Sequence, residues 1–528
     1  MSGHRSLSDI QDILYDVFPL LDPDDYGVEA QLIRRTLLAA GLTCRNFMRP
    51  AITVLWRSLP GERPLVSLLL ALGMAGPRSE PSSIDIDGDQ PSCLAIPQGL
   101  CTLPPGGLRT HSHWGRFREY ANQVRKINLD TVVWNFGPSL WSDLLPSMDG
   151  EPILPRLLSV RVTIKNMVGP SSRSGIGNLP LLSPTVKDMT LVATNRHPVS
   201  ASSFSAAIKA LFTSCPNVEQ LSLPYWVDLQ LTQHLPNLRR LNMDRHLWSA
   251  AHLSSLTSAL VLDHLTFMIC TESARTPFTQ ASLADLGIGG EWENIHDFID
   301  DTNLPAVRSL STSSPLHRSS DALRDFPALL TLIPSRLPHL TKLHLHAAPN
   351  MVPEQRAFGR PPPVLPFHPN ALHELLKPLF SLRDLVDFKL NLEDLVLRYS
   401  SNDLRSIAAT WPALHALHIT FETSDGDGRI PNSTDGTRAR LDALAHLARG
   451  CPRLRALHLP AMDALSETIE GEMLRELEID RIVFVDDVGH VDVTAFMRML
   501  FPGVHLPSEE QTPMIEVNDE GGGRSLHI

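Results

Sequence analysis

One short pattern constrains this chain more than any other feature. A proline is followed by apolar residues at the second, fifth and seventh places after it. Pro216 opens the clearest copy, with Val218, Leu221 and Leu223. The same template starts at Pro155, Pro184, Pro236, Pro338, Pro412 and Pro452, and a weaker copy at Pro305 has Thr312 in its last slot. Without the proline it returns at Val124-Ile127-Leu129, Leu262-Leu265-Phe267, Leu283-Leu286-Ile288, Leu385-Phe388-Leu390 and Leu474-Leu477-Ile479. The first apolar positions therefore run from 124 to 474, at spacings of 20 to 45 residues. The closing apolar-x-apolar alternation predicts a short strand with both apolar side chains on one face. One such unit cannot bury its own apolar face, but stacked units can.

The leucine-x-x-leucine-x-leucine core resembles the leucine-rich repeat family. That resemblance implies an α/β fold, an irregular solenoid with a curved parallel sheet over 109–507. Stretches such as Phe204–Phe212 and Arg440–Arg449 supply covering helices on the far side. The family's asparagine or cysteine after the last leucine is missing, with Trp226 and His246 in its place, so no asparagine ladder is expected.

Period-two geometry turns the residue between the two inward ones to the opposite, concave face. That rule selects Asn128, Arg161, Thr190, Ser222, Asn242, His344, Lys389, His418, His458 and Glu478. A solvated polar face accounts for any one of them. Together they make a candidate partner-binding surface, because a solenoid presents its concave side to ligands.

The first sixty residues carry a different period. Ile10, Ile13, Leu14, Val17, Phe18 and Leu21 line one face of an amphipathic helix that Asp22-Pro23 stops. A second helix is expected from about Glu29 to Phe47, and a third with Pro50 in its first turn, ending near Trp56 and Leu59. Three short helices cannot bury all these faces by themselves. The remainder must cover the rest of the chain, as a helical cap, or a partner.

The ordered set Ile13-Leu14, Val17-Phe18, Leu21, Asp22-Pro23-x-Asp25, Cys44-Arg45-x-Phe47 and Leu55-Trp56-Arg57-x-Leu59 resembles the F-box. The family's opening Leu-Pro is replaced, and the link from Asp25 to Cys44 is longer than in the compact form. The longer link looks like the divergent F-box proteins of mushroom-forming fungi. The resemblance covers residues 7–60 and implies docking onto a Skp-type adaptor of a cullin ligase core. The residues it carries over are Ile13, Leu14, Val17, Phe18, Leu21, Cys44, Phe47 and Trp56. For Cys44 and Trp56, packing inside the module is the favoured role.

Between module and repeats, 61–108 reads as a helix followed by a flexible linker rich in proline, glycine and serine. Similar insertions are expected at 169–178, 347–369 and 422–437, and a disordered acidic tail at 508–528. The chain has 58 acidic and 46 basic residues, a net charge of -12. From Ala461 onward 15 acidic residues face 4 basic ones, so nearly all the excess lies there. General nucleic-acid binding, which needs clustered cations, is not expected. Neither is a membrane span, since the longest apolar stretch is Leu65–Ala75. Six cysteines with no Cys-x-x-Cys pair suit a reduced cytoplasmic or nuclear setting.

No catalytic constellation stands out. Asp85-x-Asp87-Gly88-Asp89 begins like a calcium loop, but Gln90 and Ile96 replace the required glycine and glutamate. His373-Glu374 lacks a second histidine at zinc-protease spacing, and Gly175-Ile176-Gly177 lacks a third glycine. No metal and no cofactor are expected. The expectation is a non-catalytic substrate receptor of a Skp-cullin-F-box ligase, holding an unknown protein substrate on its repeats. The alternative is a repeat scaffold that joins no ligase.

Overall fold

The structure, a computed structural model, describes residues 14–23, 29–77, 101–103, 108–131, 140–164, 179–193, 201–224, 227–248, 253, 256, 260–269, 278–316, 325–349, 371–396, 399–422, 439 and 443–460. It also describes short strands at 462–463, 476–479, 482–483, 516–517 and 524–526. Of the expected insertions, 169–178 lies outside the described residues, as does most of the linker; 347–369 and 422–437 do so except for 347–349 and 422, which end strands. The chain forms two compact units, Met1–Asn242 and Met243–Ile528.

In the first unit, parallel strands pair in chain order: Ser58–Leu59, Lys126–Thr131, Ser159–Ile164, Asp188–Ala193, Gln220–Ser222 and the start of Arg240–Trp248. Leu59, Ile127, Val160, Met189, Leu221 and Leu241 fall opposite one another and are all buried. The second unit repeats the scheme with His264–Ile269, Asp285–Gly289, Ser309–Leu316, Lys342–Pro349, Asp387–Val396, Ala416–Glu422, Ala456–Leu459 and Glu476–Ile479. Its line is Leu265, Leu286, Leu310, Leu343, Phe388, Leu417, Leu457 and Leu477. Every copy of the sequence template thus forms a strand in the register the template specifies.

The hydrogen bonds explain the template. The first apolar residue donates its N–H to a carbonyl three residues back: Leu157 to Leu154 at 3.2 Å, Val186 to Ser183 at 3.1 Å, Leu238 to Leu235 at 3.1 Å. Proline is therefore the second residue of a four-residue turn, where its fixed φ fits and no N–H is needed. The next residue's carbonyl then accepts two N–H groups from the following repeat. Leu158 accepts from Lys187 and Asp188, and Arg308 from Thr341 and Lys342. The residue opening each turn is also buried, a position the template does not reveal: Leu154, Ser183, Cys215, Leu235, Leu337, Trp411 and Cys451 hold it. Burial pushes the Cys215 and Cys451 thiols up to about 12.

Helices cover the apolar side. Ala201–Ser214 extends over Phe204–Phe212, and Ala443–Gly450 covers the described part of Arg440–Arg449, whose first three residues lie outside the described residues. Ser400 caps the helix Ser401–Thr410 through a reciprocal capping box with Asp403.

The N-terminal module differs in detail from its sequence reading. Residues 14–17 are helical and tighten into a 3-10 turn over Phe18–Leu21. Helix α1 spans Ala30–Thr43 and α2 spans Arg45–Arg57. The break falls at Cys44, whose backbone is extended (φ -144°, ψ 135°) and whose carbonyl accepts the first N–H groups of α2. The second helix therefore ends before Phe47, and Pro50 lies inside the third rather than in its first turn. Leu59 does not close that helix, because Ser58–Leu59 forms the first strand of the sheet.

Helix α3 (Arg63–Ala71) buries Leu65 and Leu69 completely. Gly76–Pro77 then pairs antiparallel with Cys101–Thr102, which pins both ends of the expected linker. The tail also departs from expectation. Glu516–Val517 and Arg524–Leu526 are paired strands, and the second also pairs with Ile482–Val483.

Candidate functional site

Two surfaces hold the residues selected from sequence. The first is on the N-terminal helices. Phe18, Leu37, Ala51 and Val54 form a buried core, with Leu14, Leu21, Ile33, Ala40, Phe47 and Leu55 packed against it. The rings of Phe18 and Phe47 meet at 5.9 Å. Leu14, Phe18, Leu21 and Phe47, carried over as adaptor contacts, are thus used in the module's own packing. Trp56 is half-buried against Tyr120 of α4 (Trp114–Ala121), ring centroids 4.8 Å apart. Cys44 is exposed instead of packed, because the extended break between α1 and α2 turns it outward. Val17 is exposed, and Ile13 lies outside the described residues.

The module leaves a second apolar set in solvent. Tyr15, Val17, Leu20, Leu32, Leu38, Leu42 and Met48 are exposed, Leu20 by 70% and Leu42 by 79%. Elsewhere among the described residues only Leu145, Leu158 and Val261 are large, apolar and exposed. Leu38 and Leu42, one turn apart, lie on the side of α1 away from Ile33, Leu37 and Ala40. The same helices expose Arg35, Arg45 and Arg49. The helix therefore carries apolar residues on both sides, one packed in the module's core and one exposed beside the arginines. The sequence signal was the surplus leucines of Leu32, Leu38 and Leu42, which a single amphipathic stripe does not use.

The module is fastened to the first repeats. Arg34 Nη1 donates to the Ser58 carbonyl at 2.7 Å, and the Arg125 N–H donates to the Arg57 carbonyl at 2.8 Å. Trp141 Nε1 donates to Glu62 Oε2 at 2.7 Å, with both residues buried.

The second surface is the exposed side of the sheet. In the first unit Asn128, Arg161, Thr190, Ser222 and Asn242 lie in one row across adjacent strands. Beside them Ser159 Oγ donates to Asp188 Oδ2 at 2.9 Å. In the second unit the row reads Thr266, Gly287, Ser311, His344, Lys389, His418 and His458, and register places Glu478 at its end. Thr266, Gly287 and Ser311 complete the set picked out from sequence. His418 and His458 stack at 4.1 Å with planes 12° apart. His344 Nε2 lies 3.1 Å from Asp387 Oδ2. Burial pushes the Asp387 carboxyl up, but His344, Lys389 and Lys342 outweigh it and hold the group below its ordinary value.

Among the described residues no group of three His, Cys, Asp or Glu side chains could hold a metal ion. No helix among them is long and apolar enough to cross a membrane.

No family model matches the chain, and no curated protein matches it. Among solved structures the chain is similar to an internalin from Listeria monocytogenes, at 12% identity over 72% of this chain and 87% of that one, with a TM-score of 0.31. It is also similar to a protein from Bacteroides fragilis, at 13% identity over 53% of this chain and 66% of that one, with a TM-score of 0.28.

Proposed function

We propose that this chain is a non-catalytic protein-recognition subunit of a Skp-cullin-F-box ubiquitin ligase. Its N-terminal helices dock the Skp-type adaptor, and its repeats hold a protein substrate on the exposed face of their sheet. The observation that carries the reading is the second apolar set on the helices. Leu20, Leu38, Leu42 and Met48 stay in water although the module already has its own core. Exposed apolar clusters of this kind mark protein–protein contacts. The chain contributes proximity, raising the local concentration of its target near the ubiquitin-carrying enzyme, while its partners perform the chemistry.

The strand Ser58–Leu59 favours a second reading, in which the helices only cap the first repeat of a binding scaffold. A cap needs the inward faces alone and has no use for Leu38 and Leu42. Co-purification separates the two. The ligase reading expects the tagged chain to retain the adaptor and cullin from cells, and expects Leu38→Asp with Leu42→Asp to release them. Absence of both partners from the native chain supports the scaffold.

A further inference from the structure

We propose that Thr266 is a site of covalent acylation, with His264 as its base and Asp285 as the group that orients the base. The inference goes beyond the recognition role proposed above. In the strand His264–Ile269, Leu265, Phe267 and Ile269 are buried, so His264 and Thr266 share the exposed side. Asp285 faces His264 on the next strand, and Gly287 faces Thr266. Three side chains then form one line of hydrogen bonds. His264 Nδ1 lies 3.0 Å from Asp285 Oδ2, and His264 Nε2 lies 3.0 Å from Thr266 Oγ1.

The protons in this line have a fixed order. A carboxylate only accepts, so Asp285 holds the proton of the neutral imidazole on Nδ1 and leaves Nε2 as an acceptor. Thr266 therefore donates its hydroxyl proton to Nε2. A hydroxyl bonded to a base, with the base oriented by a third group, is the arrangement that activates an oxygen nucleophile. The His264 and Asp285 side chains are 33% and 47% exposed, so a small reagent can reach the line. His344 pairs with Asp387 in a similar way, but the place that Thr266 holds is taken there by His346.

Gly287 keeps the hydroxyl in position. A Cβ at 287 would stand 2.7 Å from Thr266 Oγ1, 2.9 Å from its Cγ2 and 3.2 Å from its Cβ. A side chain there would push Thr266, whose branched carbon leaves few rotamers, away from His264. The substrate class is an activated acyl donor, an ester or thioester. Thr266 Oγ bonds to the carbonyl carbon while its proton passes to His264 Nε2. The bond to the leaving group breaks, and the alcohol or thiol departs with that proton. An acyl ester on Thr266 and a neutral imidazole remain.

The test uses the purified full chain without adaptor, so its outcome is independent of ligase assembly. The chain is incubated with p-nitrophenyl acetate, and peptide mass spectrometry locates and times the acetyl groups. Acetylation of Thr266 is expected, well ahead of Thr190, which stands between Arg161 and Ser222 in the first unit. His264→Ala should slow it about a hundredfold or more. Gly287→Ala should slow it about tenfold or more, although no reactive group is removed. Thr266→Ser should keep the reaction at position 266, and Thr266→Val should end it. No acetyl group on Thr266 of the native chain overturns the proposal. So does a rate at Thr266 no faster than at Thr190, or an undiminished rate in His264→Ala.

Discussion

Trp141 donates its indole N–H to the Glu62 carboxylate across 79 residues of sequence, at 2.7 Å and out of solvent. The bond ties the turn before α3 to the helical segment after the first repeat strand. With the strand Ser58–Leu59, it makes the N-terminal helices and the first repeats parts of one unit. Trp141→Phe removes the donor and leaves a smaller aromatic ring in its place. The expected cost is about 1–3 kcal/mol of unfolding free energy, read as a lower urea midpoint with an unchanged slope. Limited proteolysis should then cut within 58–77, where the native chain resists.

Thr312 fills the last apolar slot of the Pro305 repeat. Its side chain is buried and its hydroxyl has no hydrogen-bond partner among the described residues. Thr312→Val restores the template's own residue type and removes an unsatisfied polar group. It should stabilise the chain by about 1 kcal/mol or somewhat more, read as a higher melting temperature.

Three of the six cysteines, all among the described residues, divide by reactivity. Cys44 is exposed, while Cys215 and Cys451 are buried with thiols pushed up to about 12. Cys44 is open to solvent, so iodoacetamide at pH 8 should label it in minutes. It should leave Cys215 and Cys451 unlabelled until the chain unfolds, as peptide mass spectrometry would record. Early labelling of either buried thiol would contradict the packing of the turns they open.

Asp387 sets an acid-side dependence. Its folded pKa lies below the ordinary value of 3.8, so its charged form stabilises the fold above that value. That contribution falls as pH drops from about 4 through the lower folded pKa, when the proton binds and the contact with His344 weakens. In Asp387→Asn the loss of melting temperature between pH 4.5 and pH 2.5 should be smaller than in the native chain. An identical slope in the two proteins would remove Asp387 from the account.

The repeat was legible because its signal is local. Each strand needs only apolar residues at fixed short offsets, and the proline marks a turn whose hydrogen bond requires no N–H from it. The turn-opening position was not legible, since Leu154, Ser183, Cys215 and Trp411 share burial but no residue type. The pairing of His344 with Asp387 could not be read either, because it depends on strand register across 43 residues. At the N-terminus, periodicity found the inward face of the helices but could not tell core from contact. Phe18 and Phe47 turned inward, and Leu38 and Leu42, outside the inward stripe, remained in solvent. Cys44 illustrates the same limit: one extended residue between two helices reversed its expected environment.

The proposed docking face is tested most directly by titrating a purified Skp-type adaptor into the purified chain in a calorimeter. The account predicts one-to-one binding, abolished by Leu38→Asp with Leu42→Asp while the melting temperature stays that of the native chain. Binding that survives this double substitution, or no binding by the native chain, would contradict it.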